Sequence, residues 1–468
     1  MQKFDIVVIG AGISGFSAAM RGAERGARVC LVERMNLGGN CVYKGLYSLI
    51  SMRLSLESLC KDHQGNLKPG LAIESNGYKD LVQLRLHAGE VAKEVTEKMH
   101  QELKNAGVDI QIGSGDILSP NQVGIRRGKE SLTTQADKII YSVGSTPQAP
   151  ANLPFQEDAI ISLEQIFELH EVPGSILIFG TDWLGWETAS FFNRLGCKVF
   201  LGDDNPILYS KLDPEIASVF DAEMKRNKIK LLLNKRIVSH HNKKDKIHIT
   251  LDGDVRFSVE KILLAGPRKG NISGLDADRL GIRLGSNNKI LVNERQETST
   301  QGIFAVGSVT GRSYSLNLSE EEGRVAADNA LGRERALNPD WIPHTVYTEP
   351  EFASVGCRLQ DASQKGFHGV EGRCDASQLD RSLLYGDTSA LFKVVADRSS
   401  KRVIGAQIVS HRASEIIPLV LLAIKKGLTV NALASLACGI STESRGIREA
   451  AKACDKALKS RQKASLGE

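Results

Sequence analysis

Residues 4–15 read Phe-Asp-Ile-Val-Val-Ile-Gly-Ala-Gly-Ile-Ser-Gly, a β-branched stretch that runs directly into three closely spaced glycines. The pattern of residues 5–9 predicts a buried strand, and the apolar spacing of residues 16–26 is typical of a helix. A second strand is predicted over residues 28–32. The stretch therefore predicts a strand, a tight turn, a helix and a parallel strand, which together form one βαβ unit.

The glycines of this turn, Gly10, Gly12 and Gly15, indicate a phosphate-binding loop. They permit a tight turn and let the positive end of the following helix approach a pyrophosphate. Glu33 closes the next strand, 23 residues after Gly10, where its carboxylate can accept hydrogen bonds from an adenosine ribose. The pattern predicts a bound dinucleotide, but it does not separate FAD from NAD.

A second loop of the same kind occurs near the middle of the chain. A strand at residues 175–179 precedes Gly180-Thr181-Asp182-Trp183-Leu184-Gly185, a helix extends through Leu195, and a strand covers residues 198–201. Asp203 follows Gly180 by 23 residues and has the ribose-binding character that favours NADH over NADPH. A second dinucleotide-binding fold is therefore predicted.

This second loop departs from the pattern at its middle glycine, which is Asp182. Its side chain and charge would stand where a pyrophosphate approaches the backbone, so we expect weaker dinucleotide binding and leave NADH binding open. The neighbouring Trp183 either caps a nicotinamide pocket or packs in the core.

Further along, residues 81–106 alternate apolar and charged residues at helical spacing, which predicts a helical insertion within the first nucleotide domain. From residue 343 onward, strand-like stretches such as 390–395 alternate with helical ones such as 413–426. A mixed α+β domain is therefore predicted at the end of the chain.

Four other segments complete a resemblance: Gly38-Gly39-Asn40-Cys41, residues 141–147, residues 302–308, and Tyr347-Thr348-Glu349-Pro350-Glu351-Phe352-Ala353-Ser354-Val355-Gly356. In this order, they resemble the FAD contacts and the dimerisation-domain entry of the flavoprotein disulfide reductases, the family of dihydrolipoamide dehydrogenase and glutathione reductase. The FAD contacts that the resemblance implies are Gly10, Gly12, Gly15, Glu33, Gly38, Gly39, Gly144, Gly307 and Ser308. At Ser308 the family has an aspartate, and a serine hydroxyl is a weaker partner for the ribityl chain.

The resemblance implies an α/β protein with two Rossmann-like dinucleotide-binding domains, one for FAD and one for NAD, and an α+β C-terminal dimerisation domain. The FAD-binding domain covers residues 1–150, and the NAD(P)H-binding-like domain covers residues 151–270. A second part of the FAD, or central, domain covers residues 271–342, and the dimerisation domain covers residues 343–468. The resemblance also implies a homodimer. The residues that it implies for nicotinamide dinucleotide binding are Gly180, Gly185 and Asp203.

The redox machinery of the family is incomplete in this sequence. In the family, the cysteine that corresponds to Cys41 forms a redox disulfide with a second cysteine five positions later. In this chain that second position is Leu46. The family has a lysine near the flavin, and the corresponding residue here is Ile50. The glutamate with which that lysine pairs in the family is retained as Glu187. Without a second sulfur, electrons cannot pass from flavin through an intramolecular dithiol.

The family's C-terminal acid/base pair is also missing, because its histidine corresponds to Ile440 and its glutamate to Arg445. Cys41 and Glu187 are left as candidate catalytic residues. Cys41 could act alone beside the flavin, as in the soluble transhydrogenase branch of the family, which also retains only the first cysteine. It could instead face Cys438 across a dimer, or the two thiols could be unrelated.

The overall composition excludes several kinds of partner. The chain carries 60 Lys and Arg against 55 Asp and Glu, and this net charge of +5 argues against nucleic acid or an anionic membrane. Lys243, Lys244 and Lys246 are typical of a solvated hairpin. No apolar stretch reaches the roughly 20 residues that span a bilayer, and no export signal is visible, so we expect a cytoplasmic protein. The eight cysteines show neither Cys-x-x-Cys nor metal-ligand spacing, so we expect reduced thiols and no metal site.

Two functions follow from these observations. The first is an FAD-dependent oxidoreductase that passes electrons from NADH or a partner to a non-disulfide acceptor, such as a quinone, a nicotinamide or a redox protein. The alternative is an FAD-binding pseudoenzyme that acts as a structural or partner-binding dimer.

Overall fold

The structure, a computed structural model, describes residues 1–59, 77–156, 158–206, 212–312, 315–386 and 389–466; Cys60 lies outside them. The chain divides into two compact units. The first contains residues 1–179, 195–197 and 237–337, and the second contains residues 180–194, 198–236 and 338–468. The predicted four-part division is finer than these units and stays a prediction.

The first unit begins with a series of strands and four helices. They are β1 (Lys3–Ile9), α1 (Ile13–Glu24), β2 (Val29–Glu33), α2 (Gly39–Tyr43), α3 (Leu46–Leu59), α4 (Gly77–Asn105), β3 (Asp109–Ile112), β4 (Ser114–Ser119), β5 (Gln122–Arg127), β6 (Glu130–Tyr141), β7 (Ser145–Pro147), β8 (Ile160–Ser162) and β9 (Ser175–Phe179).

The second unit contributes the next four elements, which are α5 (Trp183–Arg194), β10 (Lys198–Asp203), α6 (Pro214–Arg226) and β11 (Lys230–Leu233). The chain then returns to the first unit through β12 (Ile237–Lys243), β13 (Lys246–Leu251), β14 (Val255–Val259), β15 (Lys261–Leu264), β16 (Arg268–Gly270), α7 (Ala277–Leu280), β17 (Ile303–Ala305) and α8 (Leu316–Ala330).

The second unit ends with an antiparallel sheet and its helices. They are β18 (His344–Val346), β19 (Glu351–Gly356), β20 (Gly369–Asp375), α9 (Asp380–Tyr385), β21 (Leu391–Asp397), β22 (Val403–Ser410), α10 (Ala413–Lys425), α11 (Val430–Ala434) and α12 (Ser444–Leu466).

A seven-stranded sheet is the centre of the first unit. Its order is β3-β2-β1-β6-β5-β4, and β17 pairs with β6. Strands β3, β2, β1, β6 and β17 run parallel, and the β4–β5–β6 edge is antiparallel. Helices α1 and α8 pack against each other, and apolar residues of both are buried with those of β1. The parallel strands place the turns after β1, β6 and β17 at one edge of the sheet.

The remaining strands of the first unit form smaller sheets. Strands β8, β15 and β9 pair in parallel, β12, β13 and β14 form an antiparallel sheet, and β16 pairs with β7. The predicted hairpin at Lys243 and Lys246 is confirmed as the β12–β13 turn.

In the second unit, the terminal sheet has the order β18-β19-β22-β21-β20 and is antiparallel throughout. Helices α10 and α12 bury their apolar faces against it, in one core that contains Phe392, Ile408 and Ile417. The α+β character predicted for the end of the chain is confirmed. Across the described part of the chain, no helix has the length and apolar content that a membrane crossing demands.

Candidate functional site

The first glycine loop joins β1 to α1 through a turn that only glycine tolerates at two positions. Gly10 has a φ of +96°, in the left-handed region. A β-carbon added to Gly15 would lie 1.9 Å from the carbonyl oxygen of Gly10. The loop therefore brings the start of α1 tightly against the end of β1, as the sequence pattern predicts.

The N-terminus of α1 is open in a way that suits an anion. Gly12 is the N-cap residue, and within the described residues the first turn has no side-chain cap hydrogen bond. A β-carbon at Gly12 would meet nothing within 4 Å. The helix thus has uncapped N–H groups and a positive dipole end, with free space in front of the loop where a phosphate can approach.

The carboxylate of Glu33 is fixed beside this loop. One oxygen accepts a hydrogen bond from the Ala11 N–H (2.7 Å), and the other accepts from the Met35 N–H (2.8 Å). Since a carboxylate has about four acceptor positions, Glu33 retains capacity for ribose hydroxyl groups. Its position agrees with the role expected from its spacing to Gly10.

The second glycine pair lies against the first loop. The Gly38 N–H donates to the Ala11 carbonyl (2.8 Å), and Gly12 and Gly38 form a parallel bridge. A β-carbon at Gly39 would come within 3.3 Å of the Gly12 Cα. The structure therefore brings two predicted FAD segments together.

The two later FAD segments reach the same place. A β-carbon at Gly144 would lie 3.7 Å from the Ser308 Oγ, and one at Gly307 would lie 2.3 Å from the Oγ of Ser14 in the first turn of α1. All nine predicted FAD residues thus surround one end of α1 within the first unit. The open loop, the uncapped helix and the fixed carboxylate fit the pyrophosphate and ribose of FAD.

Three further residues at this site were not predicted. The hydroxyls of Ser14 and Ser142 lie 2.8 Å apart in a buried hydrogen bond. Glu322, in α8, is 1% exposed and accepts a hydrogen bond from the Gly307 N–H (2.7 Å). Its other oxygen has no hydrogen-bond partner among the described residues. The only sequence signal for Glu322 is its place in a helical stretch soon after Gly307, which does not show which glutamate faces inward.

Glu322 is expected to make stability depend on pH. Burial raises its pKa from 4.5 to about 7, although the Gly307 N–H acts in the opposite direction. Below about pH 4.5 the Glu322 carboxyl is protonated in both the folded and the unfolded protein, so the folded protein has its full stability. Between pH 4.5 and about 7 the unfolded protein loses this proton first, and the free energy of unfolding falls. Glu322→Gln removes this loss, so its free energy of unfolding should gain on that of the wild type by up to about 3 kcal/mol across this range. Urea titrations at a series of pH values measure the difference.

Glu320→Gln is the matched control, because Glu320 lies in the same helix but its side chain is 48% exposed and pairs with Arg324. Its difference from the wild type should stay nearly constant with pH. A Glu322→Gln difference that is equally flat would contradict an ionisable, buried Glu322.

Cys41 lies in α2, two residues after the glycine pair, and Leu46 begins α3. None of the seven described cysteines forms a disulfide. Burial raises the pKa of the Cys41 thiol to about 12, although the backbone N–H groups of Tyr47 and Leu46 lower it in part. The thiol is therefore protonated at neutral pH and is a poor nucleophile in this state.

In the second unit, the Gly180–Gly185 loop has the same frame as the first loop. Gly180 has a φ of +120°. Asp203 accepts hydrogen bonds from the Thr181 N–H (2.6 Å), the Thr181 hydroxyl (2.6 Å) and the Asn205 N–H (2.8 Å). Asp203 therefore stands in this loop where Glu33 stands in the first.

The end of α5, however, is capped from within the chain. The Asp182 Oδ1 accepts a hydrogen bond from the Gly185 N–H (3.0 Å), which is the N-cap interaction of a helix. The carboxylate occupies the helix end at which a pyrophosphate would be held. This loop does not fit a dinucleotide in the way that the first loop does.

The two other predicted residues of α5 pack inside the second unit. Glu187 is 4% exposed, and its carboxylate accepts a hydrogen bond from the Tyr347 N–H (2.9 Å). Trp183 stacks on Phe352 and on His344, with ring centroids 5.7 and 6.2 Å apart. Glu187 thus fixes the entry to the terminal sheet, and Trp183 belongs to an aromatic cluster of the same unit.

The segment predicted to correspond to the family's acid/base pair lies just before and within α12. Ile440 is 85% exposed, and Arg445 pairs with Asp380 (2.6 Å). Neither side chain is a general acid or base at neutral pH. The alternative in which Cys438 faces Cys41 across a dimer stays a hypothesis, beside the alternative of two unrelated thiols.

Comparison with known proteins gives one consistent result. Residues 4–330 match the family model described as pyridine nucleotide-disulphide oxidoreductase, and residues 342–451 match the dimerisation domain of that family. The dihydrolipoyl dehydrogenase of Thermus scotoductus is 29% identical over 461 residues, which cover 97% of this chain and 98% of that protein. The mercuric reductase of Staphylococcus aureus is 28% identical over 97% of this chain and 83% of its own length.

The soluble pyridine nucleotide transhydrogenase of Yersinia enterocolitica is 29% identical over 88% of this chain and 89% of that protein. Among solved structures, LpdA of Mycobacterium tuberculosis aligns with a TM-score of 0.86 and 22% identity, covering 97% of this chain and 99% of that one. The HOCl-induced flavoprotein disulfide reductase RclA of Escherichia coli aligns with a TM-score of 0.81 and 20% identity over 96% of this chain and 99% of that one. At these identities the two structures show the fold.

Proposed function

Because the chain belongs to the pyridine nucleotide-disulphide oxidoreductase family, whose members use FAD and NAD(P)H, we propose that it is a cytoplasmic, homodimeric FAD-dependent oxidoreductase with a non-disulfide acceptor. Electrons come from NADH or a partner and leave the flavin for a quinone, a nicotinamide or a redox protein. The match of residues 342–451 to the dimerisation domain supports the homodimer.

The observation that carries the proposal is the contrast between two parts of the first unit. Nine residues converge on the open end of α1, which supports FAD binding. By contrast, Cys41 has Leu46 at the position where a second cysteine would complete a dithiol. The chemistry that FAD supplies when bound is two-electron transfer, with uptake of a hydride or of two electrons and a proton.

The residues of this chain then have limited roles. The α1 end and Glu33 hold the pyrophosphate and ribose, and Gly144, Gly307 and Ser308 hold the rest of the cofactor. Cys41 flanks the flavin as a neutral thiol, which shapes the site without exchanging with a substrate disulfide. With Ile440 in place of a histidine, the chain offers no acid at that position to a leaving thiolate.

The test starts from FAD-loaded protein reduced anaerobically with dithionite, so that it depends on no natural donor. We expect a soluble quinone to restore the oxidised flavin spectrum, and oxidised lipoamide to fail. Cys41→Ser should reoxidise with the quinone at a rate within about threefold of the wild type, because a neutral thiol takes no covalent part. Reoxidation by lipoamide that disappears in Cys41→Ser would contradict the proposal.

One observation favours a pseudoenzyme as the second candidate. The Asp182 carboxylate closes the end of α5, so the usual route of flavin reduction in the family is impaired at the same time as the dithiol route. If neither a quinone nor a redox protein reoxidises the reduced flavin, the pseudoenzyme replaces the oxidoreductase as the preferred function.

A further inference from the structure

The two glycine loops are built from the same set of hydrogen bonds. The first glycine donates its N–H to the next strand at 2.8 Å in both cases, from Gly10 and from Gly180. The following residue donates its N–H to the carboxylate of Glu33 at 2.7 Å or of Asp203 at 2.6 Å. Each carboxylate also accepts a hydrogen bond from the N–H of the residue two positions after its own, which is Met35 for Glu33 and Asn205 for Asp203, at 2.8 Å in both cases.

Against this common frame, the loops differ at the helix end. In the first loop, Gly12 leaves the first turn of α1 without a side-chain cap and leaves open space before it. In the second loop, the Asp182 carboxylate accepts a hydrogen bond from the Gly185 N–H. A negative charge thus already sits where the helix dipole and N–H groups would attract a phosphate.

The ribose carboxylate of the second loop is also more fully used. Glu33 accepts two hydrogen bonds, one from the Ala11 N–H in the loop and one from the Met35 N–H that follows β2. Asp203 accepts the two equivalent bonds and a third from the Thr181 hydroxyl at 2.6 Å. The equivalent of Thr181 in the first loop is Ala11, which has no such donor. Fewer acceptor positions remain on Asp203 for a ribose hydroxyl.

We infer that Asp182 is an internal anion that closes the Gly180–Gly185 loop to nicotinamide dinucleotides, so that the flavin is reduced by a donor that does not use this loop. The carboxylate substitutes for the pyrophosphate at the end of α5 and repels a second anion there. This inference narrows the donor left open in the proposed function, and it removes a nicotinamide dinucleotide bound at this loop from the possible acceptors. It rests on that function only where it speaks of flavin reduction.

The test is NADH binding to the FAD-loaded full chain, measured by calorimetry and, separately, by anaerobic bleaching of the flavin spectrum. Asp182→Gly removes the charge and the side chain, and it should bind NADH at least about tenfold more tightly than the wild type. Asp182→Asn keeps the side-chain volume and a capping oxygen but removes the charge, so its affinity should fall between the two. NADH should bleach Asp182→Gly at concentrations that leave the wild type oxidised.

Asp221→Asn is the matched control, because it removes the same charge from α6 of the same unit and should leave NADH binding unchanged. Asp182→Gly should melt at a lower temperature than Asp182→Asn, since glycine loses the cap; if it does not fold, Asp182→Asn still tests the charge. The inference is overturned if the wild type binds NADH as tightly as both variants. Failure of quinones and redox proteins to reoxidise dithionite-reduced protein would contradict the proposed function alone, because that measurement involves no NADH.

Discussion

Gly12→Asp is expected to yield a folded protein that has lost its FAD. The backbone of Gly12 has a φ of −63° and a ψ of 177°, which any residue adopts, and an added β-carbon meets nothing within 4 Å. The new carboxylate can cap α1 as Asp182 caps α5, and it then competes with the pyrophosphate. FAD affinity should fall about 100-fold, because the attraction of an open helix end is replaced by charge repulsion. The ratio of flavin to protein absorbance after purification measures it.

Gly89→Asp provides the control for this experiment. Gly89 lies in α4 of the same unit, and a β-carbon there also meets nothing within 4 Å. Gly89→Asp adds the same side chain at a position away from the loop, and the Gly89→Asp protein should therefore keep its FAD. Circular dichroism and melting confirm that Gly12→Asp is folded. A folded Gly12→Asp protein that purifies with a full complement of flavin would show that α1 does not hold the pyrophosphate.

Lys393→Met is expected to destabilise the second unit by about 3–5 kcal/mol, the usual cost of removing one partner from a buried ion pair. The Lys393 side chain is 5% exposed, and its ammonium contacts Asp213, Glu215 and Glu371 at 2.7, 2.8 and 2.9 Å. Burial works against the charge of Lys393, but the hydrogen bonds to the three carboxylates outweigh it and raise its pKa. Methionine keeps the packing of the stem and leaves the carboxylates without this cation. Urea unfolding at neutral pH measures the loss.

The control is Lys452→Met in α12, since Lys452 pairs with Glu449 at 3.0 Å but its side chain is 50% exposed. That change should cost less than about 1 kcal/mol. Glu215 also pairs with Arg373, so the uncompensated charge falls mainly on Asp213 and Glu371. Equal urea midpoints for Lys393→Met and Lys452→Met would show that the buried cluster contributes no more than a surface pair.

The sequence was sufficient to predict the first loop because its contacts are local. The strand, the glycine turn and the helix follow one another in the chain, and Glu33 returns to the loop through the very next strand. The helix start was predicted at residue 16 and is observed at Ile13. The difference arises because the turn glycines sit at the boundary, where their flexibility hides the first helical residues from a pattern of apolar spacing.

The second loop shows what the sequence pattern leaves out. Asp182 is visible as an obstacle to a phosphate, but its bond to the Gly185 N–H depends on the backbone path and on one side-chain rotamer. The Lys393 cluster was not predicted at all. Its carboxylates lie at positions 213, 215 and 371, and only the folded second unit brings them to one ammonium. Pairings between distant segments carry no periodic signal in a single sequence.

The uncapped end of α1 also has a consequence for the protein before it is loaded. A loop completed by a ligand gains stability with the logarithm of free ligand concentration, whereas a loop completed by its own side chain does not. The first unit should therefore be more resistant to heat and proteolysis in flavin-replete cells than in flavin-starved ones. The Gly180–Gly185 loop is completed by Asp182, so its stability should not change with the flavin supply of the cell.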